Sequence, residues 1–330
     1  MFDVSTPLRA AFLTEAGPGV GLGHLRRCQA LAAALRSRGA AVRFLVAGVA
    51  GLGADTARLD WTRDPRLVVD PLATWCPDVV VVDSYNAGRE LLERIAALTA
   101  LAVAVDDLAD RPLPVHIVVN GAWHAPGLAY RARPDTVFLL GPEYALLGPA
   151  FGEAPRRSPR DDVRRVLVTL GGDPPADAVG AAVRAVRRAA PAAVIDVAVG
   201  SFAQALDGAG KGVTEHRGLD SLRELMLEAD LAVTGGGMTL YECLATGLPA
   251  VGLCLADNQR PNVDKLARAG LILSGEPSLE QAIGRLVGDL ALRRAMSARG
   301  PHAVDGRGAA RVADAIKRAC LAADVSRSAG

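Results

Sequence analysis

Two stretches of the chain bring together residue types suited to proton transfer and to holding an anion. In G-P-G-V-G-L-G-H, His24 follows a glycine loop at the start of a helical pattern. A histidine on glycine-rich backbone at a helix start is placed to take a proton as a general base. The second stretch runs from Thr234 to Gln259, T-G-G-G-M-T-L-Y-E-C-L-A-T-G-L-P-A-V-G-L-C-L-A-D-N-Q. Gly235, Gly236 and Gly237 let the backbone approach a ligand closely. The helix expected to begin at Thr239 offers unpaired N–H groups and the positive end of its dipole to a phosphate. Glu242 stands three residues after Thr239, so the pair reads equally as a capping box serving the helix itself. Otherwise Glu242 accepts from the two hydroxyls of a ribose while the glycines hold the phosphates. Asp257, Asn258 and Gln259 end a strand and begin a helix. One of them suffices as a cap, and three together suit sugar hydroxyls, which need donors and acceptors at once.

Other polar residues fall at strand ends. Tyr85 points from one of these towards the rim that carries His24. Asp83, Asp106 and Asp107 read as ordinary turn caps, and Arg26 and Arg27 as solvated residues of a first helical turn, either of which could reach a phosphate. The remaining histidines, His116, His124, His216 and His302, are isolated, and no H-x-x-x-H spacing supports a metal site. The five cysteines are scattered and never form a C-x-x-C pair, so neither zinc nor a disulfide framework is indicated. There is no G-x-S-x-G elbow, phosphate-loop lysine or kinase motif set. The loop at Gly19 nearly satisfies the G-x-G-x-x-G pattern, but H-L-R-R follows Gly23 where close helix packing wants a small residue. That disfavours a dehydrogenase.

These residues must be positioned by alternating strands and helices. Apolar runs at Arg9 to Thr14, Val42 to Val46, Val79 to Asp83, Leu101 to Val105, Ile117 to Asn120 and Val137 to Leu140 predict parallel strands, several covered on both faces. Leu25, Cys28, Leu31, Ala32 and Leu35 recur at helical spacing until Gly39. A polar, proline-bearing stretch at 152–162 reads as a linker. A second series follows, with a strand from Arg165, the loop Gly171-Gly172-Asp173, and the strand Val194 to Val199. Later helices are expected near Ser221 to Glu228, Pro261 to Ala269, Leu279 to Leu290 and Ala309 to Leu321. Each half has a glycine loop after its first strand, which predicts two similar parallel sheets facing across a cleft.

Composition narrows the partners. Thirty-seven Lys and Arg against 36 Asp and Glu leave a formal charge of +1, too little to recruit nucleic acid or an anionic membrane nonspecifically. No apolar run reaches membrane-spanning length, and the start lacks a basic segment followed by an apolar one, so a cytoplasmic protein is expected.

Seven segments in order, G-L-G-H-L-R-R-C (Gly21 to Cys28), V-V-V-D-S-Y (Val80 to Tyr85), D-D-L-A-D-R (Asp106 to Arg111), Y-A-L-L-G-P-A-F (Tyr144 to Phe151), G-G-D (Gly171 to Asp173), G-G-G-M-T-L-Y-E and A-D-N-Q, resemble the spore-coat-polysaccharide glycosyltransferase-like proteins. That group includes the UDP-sugar hydrolase of pseudaminic acid synthesis. The C-terminal half is more distantly similar to the glycosyltransferase that makes lipid II. The resemblance implies an α/β GT-B fold of two Rossmann-like domains, with an acceptor-side domain at 1–151, the linker at 152–162, a nucleotide-sugar domain at 163–305, and a last helix at 306–330 crossing back. It implies catalytic roles for His24, Tyr85 and Asn258. The donor site falls to Gly23, Gly171, Gly172, Gly235 to Gly237, Thr239, Glu242, Asp257 and Gln259. No metal or cofactor is implied; the partners are a UDP-sugar and either a small polar acceptor or water. An inverting transferase follows, with N-glycosylation of a heterocycle such as cytosine as one acceptor chemistry. The alternatives are the hydrolase and a non-catalytic nucleotide-sugar-binding subunit. The chain departs from the hydrolases at A-A-F-L-T-E, where an R-x-D segment is common, and at Gly148, where they tend to carry Arg. Both departures count against the hydrolase's particular sugar, and with it against water as the acceptor.

Overall fold

Strands V-V-V-V-D and L-A-V-A-V are buried along their whole length, which an open sheet achieves only when helices cover both faces. The computed structural model describes residues 7–48, 55–153, 157–175, 177–200, 202 and 212–328, and within them the chain divides into two compact units. The first comprises residues up to Gly17, His24–Pro149 and Arg307 onward; the second comprises Pro18–Gly23 and Ala150–Gly306.

The first unit is built on a seven-stranded parallel sheet of order β3-β2-β1-β4-β5-β7-β9. Its strands are β1 (Arg9–Ala16), β2 (Ala41–Gly48), β3 (Thr56–Arg58), β4 (Val79–Asp83), β5 (Leu101–Val105), β7 (Ile117–Asn120) and β9 (Val137–Leu140). A two-stranded ladder, β6 (Pro112–Leu113) with β8 (Arg131–Ala132), stands beside it. Helices α1 (Gly23–Arg36), α2 (Val69–Trp75) and α3 (Arg89–Leu98) connect the early strands. α1 buries Leu25, Cys28, Leu31, Ala32 and Leu35, the expected stripe, together with His24 and Arg27. Four strands have the bounds expected from sequence; β1 and β2 run slightly further.

The second unit carries a six-stranded parallel sheet of order β12-β11-β10-β13-β14-β15. Its strands are β10 (Arg165–Thr169), β11 (Val194–Val199), β12 (Val213–Arg217), β13 (Leu231–Gly235), β14 (Ala250–Leu253) and β15 (Leu273–Ser274). Its helices are α4 (Ala178–Ala189), α5 (Arg223–Glu228), α6 (Met238–Ala245), α7 (Arg260–Arg268), α8 (Leu279–Gly288) and α9 (Leu290–Ala303). The last helix, α10 (Gly308–Ser328), belongs to the first unit, where Asp314 pairs with Arg38 at 2.7 Å. Each unit has its own apolar core.

The expected linker is only partly described, since 154–156 lie outside the described residues. Its described remainder is fastened into the second unit. The Arg157 guanidinium donates to the carbonyls of Met226, Leu227 and Ala229 at the end of α5. The buried Arg293 donates to the carbonyls of Arg160, Asp161, Leu286 and Val287. Arg293 sits in α9, a helix the sequence reading does not predict, since it ends one helix at Leu290 and begins the next at Ala309. Gly300 is needed there: a Cβ would stand 2.6 Å from the Leu244 carbonyl oxygen, so α9 packs directly on α6.

Candidate active site

In the first unit the chemistry-bearing residues collect at the C-terminal edge of the sheet, where ligands bind in open parallel sheets. β4 ends in Asp83, fully buried. His24 Nδ1 lies 2.6 Å from Asp83 Oδ1, and Arg27 reaches the same carboxylate through Nε (2.5 Å to Oδ2) and Nη2 (2.7 Å to Oδ1). Burial alone would raise the Asp83 pKa, but Arg27 and then His24 outweigh it and hold it at about 2, below the ordinary 3.8. Asp83 is therefore an anion that only accepts. His24 Nδ1 must carry the proton, which leaves the lone pair of the neutral ring on Nε2. The 3.1 Å approach of Arg27 Nη2 to Nδ1 is then two donors converging on one oxygen.

Arg27 also donates through Nη1 to Asp107 Oδ2 at 2.6 Å, and the Tyr85 hydroxyl donates to that oxygen at 2.9 Å. The Tyr85 ring stands edge-on to His24, centroids 4.6 Å apart at 82°. Desolvation, and then the neighbouring Asp107 carboxylate, push the Tyr85 phenol well up, so at neutral pH it is a donor and not a base. Glu15 steadies this turn, accepting from Ser84 Oγ at 2.5 Å and from Asn86 Nδ2 at 2.8 Å.

The structure thus joins His24 and Tyr85, as the sequence led one to expect, and adds three residues with other expected roles. Asp106 does cap its turn, accepting from the Leu108 and Ala109 amides. Asp83 does not cap one, and Arg27, expected in solvent, is 7% exposed. The available signal was spacing. Arg27 is three residues from His24, hence on the same helix face, and Asp83 ends the strand beside β1.

The acid sensitivity of this cluster has a definite sign. The folded-state pKa of Asp83 lies below its ordinary value, so its stabilisation is complete above about pH 4 and is lost as pH falls towards 2. The effect is about 2 kcal/mol. In urea titrations between pH 5 and pH 2, wild type is expected to lose about that much more stability than Asp83→Asn. Equal losses would mean the carboxylate is not held as described.

In the second unit β13 ends at Gly235 and α6 starts at Met238 with Gly237, not Thr239, as its N-cap, and no side chain bonds at that cap. The capping box is therefore not formed. Thr239 lies in the first turn and Glu242, half-buried, one turn further on. The three glycines differ. A Cβ on Gly236 would stand 2.7 Å from Val263 Cγ2 and 2.8 Å from Gln259 Cβ, whereas one on Gly237 would meet nothing within 4 Å. Gln259 Oε1 accepts from the amides of Gly236 (3.0 Å) and Leu255 (3.1 Å). That corrects two expectations: the Gly236 N–H and the Gln259 carbonyl serve the loop itself. What remains for an anion is the exposed cap Gly237 and the N–H groups that open α6, of which that of Leu240 already donates to the Gly237 carbonyl.

Asp257 to Gln259 form a short 3-10 turn in which Asp257 and Asn258 are exposed; α7 is capped at Gln259 without a side-chain bond. Gly171 is exposed, with φ +98. Gly172 is a packing residue, because a Cβ would stand 3.0 Å from the Leu22 amide nitrogen, and Asp173 Oδ2 accepts from the Gly19 amide at 2.7 Å. Gly23, exposed, opens α1. Among the described residues no three His, Cys, Asp or Glu side chains gather as a metal site, and no helix is long and apolar enough to cross a membrane.

No protein-family model matches the chain. Over 258 residues it is 25% identical to the spore coat polysaccharide biosynthesis protein SpsG of Bacillus subtilis (strain 168), covering 71% of this chain and 75% of that protein. It is 22% identical over 283 residues to the uncharacterized protein MJ1062 of Methanocaldococcus jannaschii, covering 78% of this chain but 58% of that longer protein. Among solved structures it superposes on the calicheamicin glycosyltransferase CalG4 with a TM-score of 0.63 at 17% identity, over 95% of this chain and 98% of that one. On MurG of Acinetobacter baumannii the TM-score is 0.61 at 14% identity, over 94% and 100%. The fold is GT-B. A third GT-B match, the Streptomyces sp. SF2575 glycosyltransferase SsfS6, was solved with thymidine diphosphate; there the TM-score is 0.60 at 17% identity, over 93% and 99%. The sequence resemblance and the architecture agree.

Proposed function

We propose that the chain is a nucleotide-sugar-dependent glycosyltransferase that uses a UDP-sugar and a small polar acceptor and inverts the anomeric centre. The observation that carries this reading is the His24–Asp83 pair, which leaves His24 Nε2 as the proton acceptor. The acceptor's O–H or N–H gives its proton to Nε2 as the heteroatom attacks the anomeric carbon. The C–O bond to the diphosphate breaks and its electron pair leaves with the nucleoside diphosphate. Asp83 then faces an imidazolium through the bond it already makes. The second unit answers the leaving charge with the Gly237 amide and the start of α6, so the reading takes no metal or cofactor. One such donor is worth roughly 3 kcal/mol of transition-state energy. Glu242 takes the ribose hydroxyls, Asn258 and Asp257 the sugar, and Tyr85, its hydroxyl given to Asp107, lies beside the nucleophile's base His24. The acceptor chemistry to test first is a nitrogen heterocycle such as cytosine.

Similarity to SpsG and to glycosyltransferase structures supports the reaction class. Because SsfS6 holds thymidine diphosphate, thymidine-diphosphate sugars belong beside UDP-sugars in the donor panel. Product analysis by mass spectrometry is expected to find a glycosylated acceptor and little free sugar. Free sugar without any acceptor would make the protein a hydrolase in which the same histidine activates water.

A further inference from the structure

We infer that Asn262, held by Tyr241, is a positioning residue that sets which way the Gly237 amide points; the inference rests on the diphosphate reading above. Asn262 lies in the first turns of α7, 6% exposed, and is bonded on both sides. Its Nδ2 donates to the Gly236 carbonyl oxygen at 2.7 Å, and its Oδ1 accepts from the hydroxyl of Tyr241, itself 1% exposed. Gln259 Oε1 takes the Gly236 N–H from the same side. Both polar groups of Gly236 are therefore pinned from the β14–α7 connection and α7.

The peptide plane carries the consequence. In a trans peptide the C=O of one residue and the N–H of the next point in opposite directions. With the Gly236 C=O drawn onto Asn262, the Gly237 N–H is turned away from α7. Gly237 is exposed there and has open space where a side chain would be. Glycine makes this peptide free to rotate, since without a Cβ neither orientation is sterically forbidden. A flipped plane would aim a carbonyl oxygen at an incoming phosphate in place of a donor. Asn262 and Tyr241 thus exert their effect on an anion without touching it, and the uracil and ribose gain nothing from them.

The test compares ligands with and without phosphate on the full chain. UDP and inorganic pyrophosphate are titrated by calorimetry and uridine by saturation-transfer NMR, for wild type, Asn262→Ala, Asn262→Asp and Tyr241→Phe, with melting temperatures alongside. Asn262→Asp places a carboxylate against the Gly236 carbonyl, and Tyr241→Phe removes only the hydroxyl that holds Asn262. UDP and pyrophosphate are expected to bind roughly tenfold to a hundredfold more weakly to the Asn262 variants, and less severely so to Tyr241→Phe, with uridine unchanged. Parallel loss of uridine and UDP, or unchanged UDP affinity in folded variants, would overturn the inference. A wild type that binds uridine no worse than UDP would overturn the diphosphate reading and this inference with it.

Discussion

Asp83→Asn is expected to lower kcat by roughly 10²-fold or more while nucleoside diphosphate binding to the second unit is retained. Asp83 lies in the sheet of the first unit and the proposed diphosphate donors in the second, so the two readouts separate. An asparagine can turn either its oxygen or its amide towards His24 Nδ1. Where the amide faces the ring, the proton is driven to Nε2 and the base is lost. Where the oxygen faces it, the imidazolium formed in the reaction no longer meets an anion. Arg27 keeps Asp107 but loses its bidentate partner, so some stability goes with the activity. A folded Asp83→Asn protein with wild-type kcat would remove the pair from the mechanism.

Gly236→Ala is expected to lower stability by about 1–3 kcal/mol and to weaken UDP binding at least about tenfold. The added methyl meets Val263, fully buried, and the backbone-proximal Cβ of Gln259, neither of which can swing aside. The loop must move, and the bonds to Gln259 and Asn262 go with it. Gly237→Ala is the comparison: φ there is −88 and the space is open, so the fold holds and any loss falls on the ligand. Melting temperatures and UDP affinities of the two variants decide it. Equal melting temperatures, with equal affinities, would mean the loop is not clamped at Gly236.

These two positions also show what a sequence can and cannot carry. The longer buried strands and the two glycine loops were legible because buried parallel strands are continuous in Val, Leu and Ala and because a strand followed by glycines and a helix is a local pattern; β3, β6, β8 and β15, two or three residues each, are too short to show a pattern. β12 was not legible either, since V-T-E-H-R is a half-exposed edge strand in which four polar residues follow one valine. His24 was legible from its place at a helix start. Its partner was not, because Asp83 is 59 residues away and a strand-end aspartate usually caps a turn. The G-G-G run was legible as a loop. That Gly236 faces inward and Gly237 outward depends on α7, which packs on the loop through Asn262 and Val263, and no spacing within the run encodes it.

The most direct measurement is release of nucleoside diphosphate from a panel of UDP- and thymidine-diphosphate sugars, with and without candidate acceptors, for wild type and His24→Ala side by side. Acceptor-dependent release by wild type is expected, falling by about 10²- to 10⁴-fold in His24→Ala with the donor still bound. Undiminished release by a folded His24→Ala protein would contradict the account, whichever acceptor the wild type uses.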